Sequence, residues 1–157
     1  MGYGTIRLVG RFAQLIGNQV LFCTLAAWVV AQTFKVYLAT RRRRGFDVRW
    51  FLETGGMPSA HSAGVTALAT GVGLEMGFHT AAFAVAMIFA LVTMFDAQGV
   101  RQATGRQAVV LNKIIDELYA KGQVNQERVR EFLGHTPIEV FAGAAIGGLI
   151  ALWMFRP

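Results

Sequence analysis

The chain has one cysteine, Cys23, and it lies inside an apolar run. A single thiol excludes an intrachain disulfide framework and a thiolate metal site, so Cys23 reads as packing. Charge is scarce as well: only 15% of the 157 residues are Asp, Glu, Lys or Arg, low for a soluble protein of this size. No compact series of charged, apolar and small-residue regions opens the chain, so no cleavable signal is expected. There is no internal repeat, and no low-complexity tract beyond Arg41-Arg42-Arg43-Arg44.

What is abundant is apolar sequence, 54% of the chain. It gathers in four segments, about 18–38, 60–78, 80–96 and 136–155, each close to the ~20 residues that cross a bilayer. One such segment fits a buried soluble core; four in so short a chain leave too little polar surface. The expectation is a single all-α integral membrane helical bundle with about four transmembrane helices. Residues 4–16 place Val9, Phe12 and Ile16 on one side and Arg7, Arg11 and Gln14 elsewhere, as an interfacial helix or the ragged start of the first span.

Basic residues are unevenly shared between the two sides. Arg41–Arg44 and Arg49 follow the first segment; Arg101, Arg106, Lys113, Lys121, Arg128 and Arg130 follow the third. The turn at Gly77-Phe78-His79 has none. The positive-inside rule puts both long loops in the cytoplasm and both termini outside. The arginine tract has no aromatic interleaving, so a nucleic-acid partner is set aside in favour of anionic lipid headgroups. Within the second loop Leu111, Ile114, Ile115 and Leu118 recur at helical spacing. An amphipathic insertion is expected over about 102–133, with Gly122 as a stop and a second short helix at 124–133, lying along the membrane face.

Two stretches carry the chemistry: Gly55-Gly56-Met57-Pro58-Ser59-Ala60-His61-Ser62 and Leu133-Gly134-His135-Thr136-Pro137-Ile138-Glu139. Each leads from a polar loop into an apolar helix, and helix starts attract anions through unpaired N–H groups and the dipole. His135 and Glu139, four apart, share one helical face. A carboxylate there can fix the histidine tautomer and leave the other nitrogen to attack. The same stretch also reads as a capping box, with Thr136 as N-cap and Glu139 at N3; both readings stand from this stretch alone. His61, on the same side, favours the functional one: Ser59 caps its helix, the N–H groups of Ser59 and Ala60 face a phosphate, and His61 protonates a leaving alkoxide. Lys35 either snorkels to the interface or reaches the same phosphate, joined by Arg42. Asp96 and Arg101 mark the inner end of the third span; guanidinium suits bidentate phosphate contact, and Asp96 is carried as a substrate-binding candidate beside it. Glu75 and His79 belong near the outer face.

Together these residues resemble the type 2 phosphatidic acid phosphatase superfamily, which includes vanadium haloperoxidases, and in particular its small divergent membrane branch. The pattern is lysine, six residues, arginine-proline; proline-serine-glycine-histidine; and serine-arginine, five residues, histidine, three residues, aspartate. Lys35 and Arg42 match the first, with Arg43 for proline. Pro58-Ser59-Ala60-His61 matches the second, with Ala60 for glycine. His135 and Glu139 match the third, with glutamate for aspartate; Val129 stands where its arginine would, and Gly99-Val100-Arg101 looks like that element moved upstream. The resemblance covers about 18–155.

It implies a phosphatase in which His135 is the nucleophile, Glu139 orients it and His61 protonates the leaving group. Lys35, Arg42, Ser59, Ala60 and Arg101 would hold the phosphate. No metal or other cofactor is implied. Typical membrane members have six spans, so a second subunit, making a homo-oligomer, or the N-terminal segment would replace the missing two. The resulting expectation is a lipid phosphate monoesterase of the bacterial inner membrane, its site facing the cytoplasm. The substrate would be phosphatidic acid, phosphatidylglycerophosphate or an isoprenoid phosphate. The alternatives are a lipid-phosphate-binding or scaffold protein without turnover and a vanadate-dependent haloperoxidase.

Overall fold

The structure, a computed structural model, describes residues 14–43, 56–120 and 135–156. In order come α1 (Gln19–Arg43), α2 (Ala60–Met76), α3 (Ala81–Gln98), α4 (Val100–Ala120) and α5 (Pro137–Met154). Among the described residues there is no strand. The chain is an all-α membrane helical bundle. Of the amphipathic stretch expected at 4–16, only 14–16 are described, and they are helical. The short helix expected at 124–133 lies outside the described residues.

The helix boundaries follow local chemistry. The Asn18 side-chain oxygen accepts the Leu21 N–H at 2.8 Å at the start of α1, and Thr80 Oγ1 accepts from Phe83 at the start of α3. Such side chains satisfy N–H groups that a helix start leaves unpaired. α2 ends at Gly77, whose φ of 97° is open to glycine and strained for other residues. α1 runs on past the expected limit at 38, so Arg41 to Arg43 form its last turn rather than a loop. Arginine is a good helix former, and cations are favoured at a helix C-terminus. Arg41 is also held there: its Nε donates to Tyr37 Oη at 3.3 Å and its guanidinium stacks 5.8 Å from the Tyr37 ring centroid.

Among the described residues three helices, α1, α3 and α5, are long and apolar enough to cross a bilayer. α2, with 17 residues, is made largely of Ala, Gly, Ser and Thr and packs against α1, α3 and α5. Its small side chains have a cause: a helix touching three neighbours has little lipid to face. The chain runs up and down. Gln19 Nε2 donates to the Met154 carbonyl at 2.8 Å, joining the start of α1 to the end of α5. At the opposite end the Ser59 N–H donates to the Glu139 carbonyl at 3.0 Å, joining the starts of α2 and α5.

The interior inverts the soluble pattern. Its buried apolar residues are mostly alanines, among them Ala27, Ala31, Ala63 and Ala67, while large side chains point outward and Phe141 is 73% exposed. Lipid tails offer large apolar groups as good a solvent as a core does. Helix association therefore depends on close approach of small residues. Gly143 and Gly147 are where α5 touches α2. A Cβ at Gly143 would overlap the Ser59 carbonyl, and one at Gly147 would overlap the Ala63 carbonyl. Gly148 is the contrast, since a Cβ there would meet only Thr66 Cγ2 at 4.0 Å. Gly147→Ala is therefore expected to destabilise the bundle by about 1–3 kcal/mol through overpacking, whereas Gly148→Ala leaves it unchanged; thermal unfolding in detergent measures both.

α4 follows α3 after the single residue Gly99, which is itself in the right-handed helical region. The amphipathic segment thus begins at once rather than after a loop. Among its described side chains and glycines, Gly105, Ala108 and Asn112 are buried, while Val110, Leu111 and Ile114 are exposed.

Candidate active site

The sequence His135-Thr136-Pro137-Ile138-Glu139 builds the start of α5 by itself. Thr136 is the N-cap, and its Oγ1 accepts the Glu139 N–H at 3.4 Å. The Glu139 carboxylate bends back, and Oε2 accepts the Thr136 N–H at 2.9 Å. Pro137 occupies the first turn, where its missing N–H costs nothing. The same Oε2 lies 3.2 Å from His135 Nδ1. Capping box and histidine orientation, which the sequence left as alternatives, are both present and share one carboxylate oxygen.

An ionised carboxylate only accepts, so the bond requires the proton on Nδ1. In the neutral ring the lone pair is then on Nε2. His135 is 3% exposed, and its backbone N–H donates to the Ala97 carbonyl at 3.2 Å, at the end of α3. The imidazole is thus held from two directions: its ring by α5 and its main chain by α3.

The start of α2 faces this unit. Gly56 has φ 88°, Met57-Pro58 is a cis peptide, and Ser59 is the N-cap. The Ser59 N–H was expected to face an anion. It is instead given to the Glu139 carbonyl, because Gly143 lets α5 approach closely enough to take it. Ser59 keeps its hydroxyl: Oγ accepts the Ser62 N–H at 3.3 Å and the Ser62 hydroxyl at 3.0 Å. Ala60 is buried and has no helical carbonyl four residues before it. His61, in the first turn of α2, is exposed.

Lys35 is 9% exposed. Its Cγ and Cδ lie 3.5 Å from where a Cβ at Gly56 would stand, so the stem runs along the loop that leads to Ser59 instead of leaning away toward lipid. Gln32, one turn earlier, is also buried. Asp96 is exposed and adjoins Ala97, whose carbonyl anchors His135. Arg42 and Arg101 fall in the last turn of α1 and the first turn of α4; their side chains lie outside the described residues. One end of the bundle therefore gathers Lys35, Ser59, Ala60, His61, Asp96, His135 and Glu139. Gly71, three-quarters of the way along α2, sits near Val20 and Phe155, which puts Glu75 and His79 at the other end.

Sequence reasoning passed over three contributors. The Ala97 carbonyl carries no side-chain signal. Ser62 lay in view beside His61. Gly143 was legible through its four-residue spacing to Gly147, the small-residue pattern of close helix pairs. Among the described residues, no group of three His, Cys, Asp or Glu side chains is placed to hold a metal.

Comparison with known proteins bears on this arrangement. Residues 16–150 match the model of the Divergent PAP2 family. The chain is 45% identical over 150 residues to the "Uncharacterized membrane protein YuiD" of Bacillus subtilis (strain 168), an overlap of 88% of this chain and 95% of that protein. No solved structure gives a significant match.

Proposed function

The chain belongs to the Divergent PAP2 family of membrane proteins, and from that premise we propose that it is a lipid phosphate phosphatase working through a phosphohistidine. The observation that carries the reading is the buried His135 ring, its Nδ1 held 3.2 Å from Glu139 Oε2. A histidine that serves only to cap or pack has no need of a carboxylate fixing its tautomer.

In the proposed reaction His135 Nε2 attacks phosphorus and the bond from phosphorus to the ester oxygen breaks. His61 gives its proton to the departing alkoxide. Water, deprotonated by His61, then attacks the phosphohistidine, releasing inorganic phosphate and restoring Nε2. Glu139 stabilises the positive charge that the ring acquires. Lys35, Arg42 and Arg101 neutralise the phosphoryl oxygens, with the Ser59 hydroxyl and the Ala60 N–H as shorter-range donors; positioned charge supplies most of the catalysis in phosphoryl transfer. Asp96 would line the same mouth.

The spent substrate half is an amphiphile. α2 acts as the fourth crossing, the basic end faces the cytoplasm by the positive-inside rule, and the lipid enters sideways between helices with its tails still in the bilayer. Phosphatidic acid, phosphatidylglycerophosphate and isoprenoid phosphates all have that form. The test is phosphate release by detergent-purified protein with EDTA present, across these three substrate types. Release that survives the chelator is the expected result. Binding of the lipids without any release, by folded protein, would replace this reading with a lipid-binding one.

A further inference from the structure

α1 and α3 both pack along α2, with no extended contact between them. α2 turns Gly64, Ala67 and Gly71 toward α1, where Trp28, Ala27 and Val20 are their neighbours. It turns Val65, Ala69 and Val72 toward Ala86 and Ala90 of α3. Residues seven apart on a helix return to nearly the same face. His61, Leu68 and Glu75 therefore form one line along α2, and that line falls between the two packed faces. Gly64, Ala67, Ala69 and Gly71 are buried, whereas Leu68 is half-buried and His61 and Glu75 are exposed. α2 is thus the floor of a groove that neither neighbour closes.

The groove leads to the site. Leu68 is two turns from His61, about 10 Å along α2 at roughly 1.5 Å per residue. On α1 the same spacing separates Trp28 from Lys35. Trp28 begins beside Gly64, where a Cβ would stand 3.8 Å from Trp28 Cβ and 3.9 Å from its Cδ1, and the residue is 41% exposed. α1 and α2 run in opposite directions, so the steps from Trp28 to Lys35 and from Leu68 to His61 go toward the same end of the bundle. Two helices thus independently set a large apolar side chain two turns from a residue of the phosphate site. We propose that this groove holds the hydrocarbon chain of the substrate, with Leu68 as its floor and Trp28 as its wall. On the phosphatase reading, on which this proposal rests, His61 protonates the oxygen that carries the chain. A chain bonded to that oxygen leaves the site beside His61, and the groove that begins there is apolar and open to the bilayer.

The test is kcat/KM for dioleoyl and dibutyryl phosphatidic acid, which share a headgroup and differ in chain length, with the wild-type protein and Leu68→Trp. Tryptophan at 68 fills the groove where a long chain passes and a short one ends. The ratio of long-chain to short-chain kcat/KM should therefore fall about tenfold, within the range that overfilling a packed site costs. Leu149→Trp, on the outward face of α5, should keep the wild-type ratio. A phosphonate analogue of the long-chain lipid, with a photoreactive group in its chain, needs no variant to fold and should label Trp28 or Leu68 of the wild-type protein. An unchanged ratio, or label on Leu149 and other outward residues instead, overturns the groove and leaves the phosphatase standing. An unchanged ratio with an altered oligomeric state in detergent assigns the groove to a second copy of the chain. If the wild-type protein releases phosphate from neither lipid, the phosphatase reading fails. Label at Trp28 or Leu68 then still upholds the groove as a lipid site, and label elsewhere overturns it.

Discussion

His135→Ala is expected to reduce phosphate release by at least about a thousandfold, to the level of a preparation lacking the protein. The expectation follows from where the ring sits. It is buried, its Nδ1 is occupied by Glu139, and its main chain is tied to the end of α3. On the proposed reading Nε2 is the nucleophile, and alanine leaves nothing in its place. The fold should survive, because the cap of α5 is made by Thr136 and Glu139 without the imidazole. The matching control is His79→Ala, at the far end of the bundle, which should retain full activity. Equal loss in both variants would point to a general disturbance instead.

The second large effect separates the helix cap made by Glu139 from its proposed part in turnover. Glutamine at this position can still accept the Thr136 N–H, and it is as suitable as glutamate at the third position of a capping box. Glu139→Gln should therefore unfold within about 1 kcal/mol of the wild-type protein. It removes the negative charge beside a ring that becomes positive on attack, and a neutral amide no longer dictates which ring nitrogen holds the proton. Turnover should fall about a hundred- to ten-thousandfold, the range seen when the orienting carboxylate of a triad is made neutral. Glu139→Ala should add a loss of about 1 kcal/mol in stability, from the missing cap, to the same catalytic loss. Full activity in the glutamine variant, with loss only in alanine, would reduce Glu139 to a helix cap.

Much of this arrangement is legible in the residues alone. Apolar runs near 20 residues placed the helices, and the four-residue spacing of His135 and Glu139 put them on one face. The uneven arginines marked the same end of the bundle. What was not legible depends on main-chain partners. Ser59 looked like an anion donor because a helix start normally leaves its N–H groups open; only the close approach at Gly143 shows that this one is spent on the Glu139 carbonyl. The anchoring of His135 by Ala97 has no side-chain trace for the same reason. The amphipathic insertion was expected from about 102, yet Gly99 in a helical conformation lets the path continue from α3 into α4 almost at once. The arginine tract looked like a loop because charge runs usually are solvated, although Arg41 to Arg43 complete the last turn of α1.

The central claim is that phosphate passes through His135. The most direct measurement is a rapid quench into alkali during turnover of a lipid labelled in its phosphate, followed by identification of the labelled residue. The account requires a protein-bound phosphate that is stable in alkali and lost in acid, located on His135, and absent from His135→Ala. Phosphate release without any such adduct, or with the label on another residue, would contradict it.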